Sequence, residues 1–261
     1  MRTSTILAVI LAASLLAGCS VYTQTSSGRD WLAAYPPAPP SKADASGIDA
    51  RVRQVAAVEP LLRFPARIGL ARIGKVGYAG GLVALPTDEA QSWAALRDRL
   101  GPSFGEFVPI SPMIASMVEE NVQATYMGDR VATARHVIET IRLAAARQHL
   151  DAVLIYEVDA SADTRSNPLS IGEWTLIGSF ILPSRDVKAI GVAQAMLIDV
   201  RNGYPYGQIT STVDDKSESA LFNTGEAKAV LSQKVEGAAV TKLAGEAFDL
   251  MTRLRVELAA K

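Results

Sequence analysis

The chain has 261 residues, one cysteine, two histidines and a formal net charge of −1. That balance leaves no basic excess to draw the body onto nucleic acid, two histidines are few for a metalloprotein, and a lone cysteine rules out an internal disulfide. A composition 49% hydrophobic and 20% charged is that of a globular protein with room for a sizeable core.

Arg2 gives a positive start, and Ile6 to Leu16 form an apolar run broken only by Ser14. The run is too short to span a bilayer, which takes about 20 apolar residues. With small residues at its end it predicts a secretory signal peptide over 1–18. Leu16-Ala17-Gly18-Cys19 then resembles the lipobox of bacterial lipoproteins, where the cysteine sulfur takes a diacylglycerol and the amine freed by cleavage is acylated too. The resemblance makes Cys19 a lipidation site, and two or more acyl chains anchor a protein stably. Ser20 stands where Asp is the usual signal for retention in the inner membrane, which implies the outer membrane with the body facing the periplasm.

Pro36, Pro37, Pro39 and Pro40 sit among Ser, Ala and Thr, so residues 19–47 read as a lipidated, flexible linker. Trp31, Leu32 and Tyr35 within it are either a docking element for a partner or pack locally. A single α/β domain is expected over 48–261, opening with a short helix from Ile48 to Val58 that carries Val52, Val55 and Ala56 on one side. Ala66 to Ile73 reads as a buried strand. KVGYAGG, Lys75 to Gly81, reads as a glycine-rich loop, but it lacks the GxxxxGK[ST] pattern of a phosphate cradle. Thr87 as N-cap with Asp88 and Glu89 starts a helix carrying Trp93, Leu96 and Leu100, which Gly101-Pro102 closes. Glu106 to Ile110 is a second strand. Arg130 to Leu150 is a helix with Val131, Ala134, Ile138, Ile141 and Ala145 on one stripe and Arg135, Glu139 and Arg142 in ion-pair spacing on another. Asp151 to Val158 is an apolar central strand.

His136 and His149 lie on that helix with no third ligand in view, so a metal site is not expected. Glu119-Glu120 and Asp214-Asp215 read as solvated faces rather than acid/base pairs, and no Gly-x-Ser-x-Gly elbow exists. No catalytic residue is assigned. Asn202-Gly203 between β-rich arms predicts an antiparallel hairpin with a type I′ turn. Pro205 places the returning strand at an edge or delays its pairing. Asn223 with Glu226 opens a long C-terminal helix with Val240, Leu243, Ala247, Leu250, Leu254 and Leu258 on one face, and a close packing contact is expected under Gly237 and Gly245. The fold class is α/β (α+β): a mixed sheet with an antiparallel C-terminal hairpin, packed by helices.

Trp174-Thr175-Leu176-Ile177-Gly178 with Phe180, Ile181 and Pro183, followed by Leu197-Ile198-Asp199-Val200, resembles the rhombotarget-type bacterial lipoproteins. Ala66 to Ile73 and the lipobox match in order, while the C-terminal LRVELAAK departs from the family's glycine-rich, hydrophobic and basic tail. At fold level the element order is also similar to small α/β domains of envelope lipoproteins such as the curli-secretion pore subunit and penicillin-binding-protein activators. Neither resemblance brings catalytic residues. The run Trp174 to Pro183 is read as buried core, as a partner or self-association surface centred on Trp174 and Phe180, or as a membrane-inserting strand whose Ser184-Arg185-Asp186 turn lacks a second strand. The expectation is an outer-membrane-anchored, non-enzymatic envelope accessory or assembly factor with a protein partner or self-association. Its only added group is the covalent diacylglycerol and N-acyl chain on Cys19. The alternative is a subunit of an oligomeric export or pore complex, and an envelope hydrolase is a third class.

Overall fold

A computed structural model of the chain describes residues 22–23, 33, 47–76, 79–118, 130–166, 185–219 and 224–260. In chain order these form β1 (Tyr22–Thr23), α1 (Ile48–Ala56), β2 (Ala66–Val76), β3 (Ala79–Val83), α2 (Thr87–Leu100), a short 3-10 turn (Pro102–Phe104), β4 (Gly105–Pro109), α3 (Pro112–Ser116), α4 (Arg130–Arg147), β5 (Ala152–Ser166), β6 (Arg185–Asp199), β7 (Pro205–Ser219) and α5 (Thr224–Ala259).

All the described strands join one seven-stranded sheet in the order β1-β7-β6-β5-β2-β3, with β4 also pairing to β2. β2 runs parallel to β4 and β5, and the other pairs are antiparallel. The mixed α/β sheet with its antiparallel C-terminal hairpin, packed by helices, is therefore the architecture found.

β5 explains why its sequence is apolar without alternation: it is covered on both faces. Ala152, Leu154 and Tyr156 pack with Trp93 and Leu96 of α2 and with Leu243, Ala247 and Leu250 of α5. Val153 and Ile155 pack on the opposite side with Ile141, Ala144 and Ala145 of α4. The α3–α4 layer does not extend over all of β6, where Ile190 and Val192 remain 39% exposed.

Several local expectations are corrected. Lys75 to Gly81 is largely a β2–β3 hairpin, Lys75 opposite Gly80 and Gly74 opposite Gly81, because its small residues pair as an edge ladder. Pro86, not Thr87, occupies the N-cap position of α2. Arg185 and Asp186 belong to β6, pairing with Ser166 and Arg165 of β5, rather than to a turn. The 202–203 turn is not type I′: of its residues only Gly203 has positive φ, 75°. β6 ends at Asp199, whose N–H donates to the Tyr204 carbonyl and whose carbonyl accepts from Gly203, giving a longer loop. β7 starts at Pro205, opposite Ile198. An ideal Cβ on Gly237 or Gly245 meets nothing within 4 Å, so no close contact underlies either glycine. Arg142, expected in an ion-pair row, turns instead to the Val200 carbonyl at 3.1 Å.

Candidate functional site

Within the segment expected as a linker, Tyr22 and Thr23 form a short strand. Their backbone adds an edge strand to β7, Tyr22 opposite Gln208 and Thr23 opposite Gly207. An edge ladder satisfies backbone polar groups whatever the side chains, which is why a short segment outside the core can still pair. Cys19 precedes Tyr22 by three residues, so the chain's reach keeps it within about 11 Å of that edge. Cys19 itself, Trp174, Phe180 and Glu119-Glu120 lie outside the described residues, as does Asn223.

The corner that receives β1 is fixed by a buried polar network. Asp199 is fully buried, and its carboxylate accepts from the Tyr206 hydroxyl at 2.7 Å and from the Arg201 N–H at 2.9 Å. The same hydroxyl accepts from the N–H groups of Leu61 and Leu62 at 3.0 and 2.7 Å. Burial, then the hydrogen bond and charge of Asp199, push the Tyr206 hydroxyl well above the ordinary phenol range, which keeps its proton on that bond. Asn202 donates through Nδ2 to the Glu59 carbonyl at 2.7 Å and accepts from Tyr204 N–H at 3.0 Å. Residues 59–62 are thereby stitched to the β6–β7 turn. α1 ends three residues before Glu59 and contributes no buried residue.

A second network ties α2 to the sheet on the face that also holds Tyr206. Arg72 Nε donates to both oxygens of Glu89, at 2.9 and 2.8 Å, and the Tyr156 hydroxyl donates to Glu89 Oε2 at 2.6 Å. Burial, then Glu89, raises the Tyr156 pKa far above the usual phenol value. Glu236 nearby is also raised, by burial and by Asp159, Glu89 and Asp88, with Arg72 opposing. Glu89 is 5% exposed with its oxygens engaged, an arrangement that holds α2 to the sheet rather than one that offers a proton to a substrate.

The histidines are not brought together. His149 sits exposed at the end of α4 with φ 55°, a helix-terminating conformation, and His136 lies partly buried along the helix. Asp214 is exposed, while Asp215 pairs with Lys234 at 2.6 Å, which lowers its pKa. Among the described residues no group of three or more His, Cys, Asp or Glu could hold a metal ion, and no helix is long and apolar enough to cross a membrane. Sequence reasoning missed Asp199, Tyr206, Glu89 and Tyr156. For Asp199 a signal existed, an acid two residues before Arg201 in Asp199-Val200-Arg201-Asn202-Gly203, the spacing of an Asx turn.

No protein-family model and no curated protein matches the chain. Among solved structures it is similar to a PelC dodecamer from Paraburkholderia phytofirmans, with 11% identity, a TM-score of 0.30, and 73% of this chain and 89% of that one covered. It is likewise similar to lipoprotein GNA1162 from Neisseria meningitidis, with 16% identity, a TM-score of 0.28, and 66% and 98% covered. A third structure, the hypothetical protein CT253 from Chlamydia trachomatis, shows 10% identity and a TM-score of 0.28 over 75% and 99%. Likenesses this low carry no argument about role.

Proposed function

We propose that the chain is a lipoprotein anchored to the outer membrane through Cys19, facing the periplasm and serving as a non-enzymatic accessory or assembly factor of the cell envelope. The observation that carries this reading is the lipobox Leu16-Ala17-Gly18-Cys19, which ends three residues before the strand that joins the sheet edge. The buried polar side chains support a non-catalytic role, since Glu89, Asp199 and Ser211 are each hydrogen-bonded to other groups of the fold. The resemblance of Trp174 to Pro183 to the rhombotarget-type lipoproteins supports the same reading.

A second reading, a subunit of an oligomeric export or pore complex, is favoured by one observation. The apolar run Trp174 to Pro183 lies in the stretch that connects β5 to β6, whose ends pair at Ser166 and Arg185. This uncharged run thus falls, in sequence, between two strands that pair with each other, and lies outside the described residues.

Cys19→Ser is expected to abolish incorporation of labelled palmitate and leave a soluble or signal-retaining precursor, because acyl chains are the anchor. A wild-type protein that takes up no palmitate, with the variant still fractionating in the outer membrane, overturns the lipoprotein reading.

A further inference from the structure

An exposed apolar helix face and a short edge strand meet at one corner of the molecule. Ile48, Val52 and Val55, which helical spacing puts on one face of α1, are 70%, 39% and 73% exposed. β1 meets the sheet at Gly207 and Gln208, directly after Tyr206. Tyr206 holds the backbone of Leu61 and Leu62, and Asn202 holds Glu59, so the segment that follows α1 is fixed to the hairpin end that receives β1. Whatever holds Cys19 is therefore close to this corner.

We propose that this corner is the membrane-facing side of the domain. The bilayer takes the aliphatic face of α1 into its headgroup–acyl boundary, while β1 holds the start of β7 against the lipid surface. The proposal rests on lipidation of Cys19. A phospholipid surface, rather than a second copy, is the occupant for two reasons. Acyl chains on Cys19 bring the bilayer to this corner whatever else the protein binds. Three aliphatic side chains on a nine-residue helix are also too little for a stable protein interface, which buries about 800 Å² per partner. Arg51, exposed and adjacent to the stripe in helical spacing, is placed to meet lipid phosphates. The opposite edge of the sheet, β3, stands five strand spacings from β1, about 24 Å away across the sheet.

The test uses the full lipidated protein in vesicles of phosphatidylethanolamine and phosphatidylglycerol. Cys19 is the only cysteine and its sulfur is taken by lipid, so Val55→Cys and, separately, Met113→Cys can each carry a single environment-sensitive dye. Both positions are exposed, and Met113 is on α3, which follows β4 on the far flank of β2. Spin-labelled lipids are expected to quench the Val55 dye severalfold more than the Met113 dye. Tyr22→Pro with Thr23→Pro, which removes the donors of β1, is expected to shrink that difference. Equal quenching at the two sites in vesicle-bound protein overturns the proposal while leaving the lipoprotein reading intact. A Val55 signal that is unaffected by vesicles but grows with protein concentration assigns α1 to a second copy and also overturns it. Protein that carries no lipid and does not float with vesicles removes the lipoprotein reading itself.

Discussion

An ideal Cβ on Gly191 would lie 2.5 Å from the Val235 carbonyl oxygen, so β6 and the backbone of α5 approach there more closely than any side chain permits. Gly237 and Gly245, two and ten residues further along α5, face open space. Gly191→Ala is expected to lower stability by about 1 to 3 kcal/mol through overpacking. Gly237→Ala and Gly245→Ala are each expected to raise it by about 0.5 to 1 kcal/mol through helix propensity and reduced unfolded-state entropy. Urea unfolding of the three variants checks this, and a loss of stability at Gly237 would mean that something packs there after all. A glycine's local cost is readable in sequence, but what lies opposite it is set by tertiary approach, so Gly191 and Gly237 could not be told apart beforehand.

The β6–β7 hairpin was legible as an element and illegible as a turn. Asn202-Gly203 marks its place, but Asp199 engages the Arg201 N–H and Asn202 reaches Glu59 across 143 positions, and these bonds select a longer loop than the dipeptide favours alone. The central strand was expected over Asp151 to Val158, yet β5 and β6 each run 15 residues, because polar positions such as Asp159 and Gln194 remain strand when paired on a solvated face. Tyr206 is the keystone of this corner. Tyr206→Phe removes a hydroxyl that satisfies two backbone donors and a buried carboxylate, and an expected loss of about 2 to 4 kcal/mol follows from leaving them unpaired. Thermal and urea unfolding read the loss. Unchanged stability would show that water or another group takes over those bonds.

At the scale of the molecule, a sheet packed by helices was readable from apolar periodicity, since Val240, Leu243, Ala247, Leu250 and Leu254 are all buried as their spacing requires. The edge role of Tyr22 and Thr23 was not, because two residues with no periodic pattern pair through backbone alone. Phe180→Ala and Trp174→Ala separate core from contact surface. Burial predicts a loss of about 3 to 5 kcal/mol for each, whereas an interface leaves stability intact and lowers the mass measured by light scattering. Normal stability with normal mass for both would leave the run without either role. The pairing at Tyr22 and Thr23 also has a mechanical side. If Cys19 is lipidated as proposed, a pull between bilayer and domain enters the fold at β1, held by two residue pairs, while β6 is zipped to β5 along its full length. β1 therefore peels first, before the core feels the force. Once it is free, the leash lengthens from the three residues after Cys19 to the chain that ends at Ile48, at most about 100 Å when extended. On the proposed lipidation of Cys19, one anchor would thus serve both a domain docked at the lipid and a released one reaching further from it.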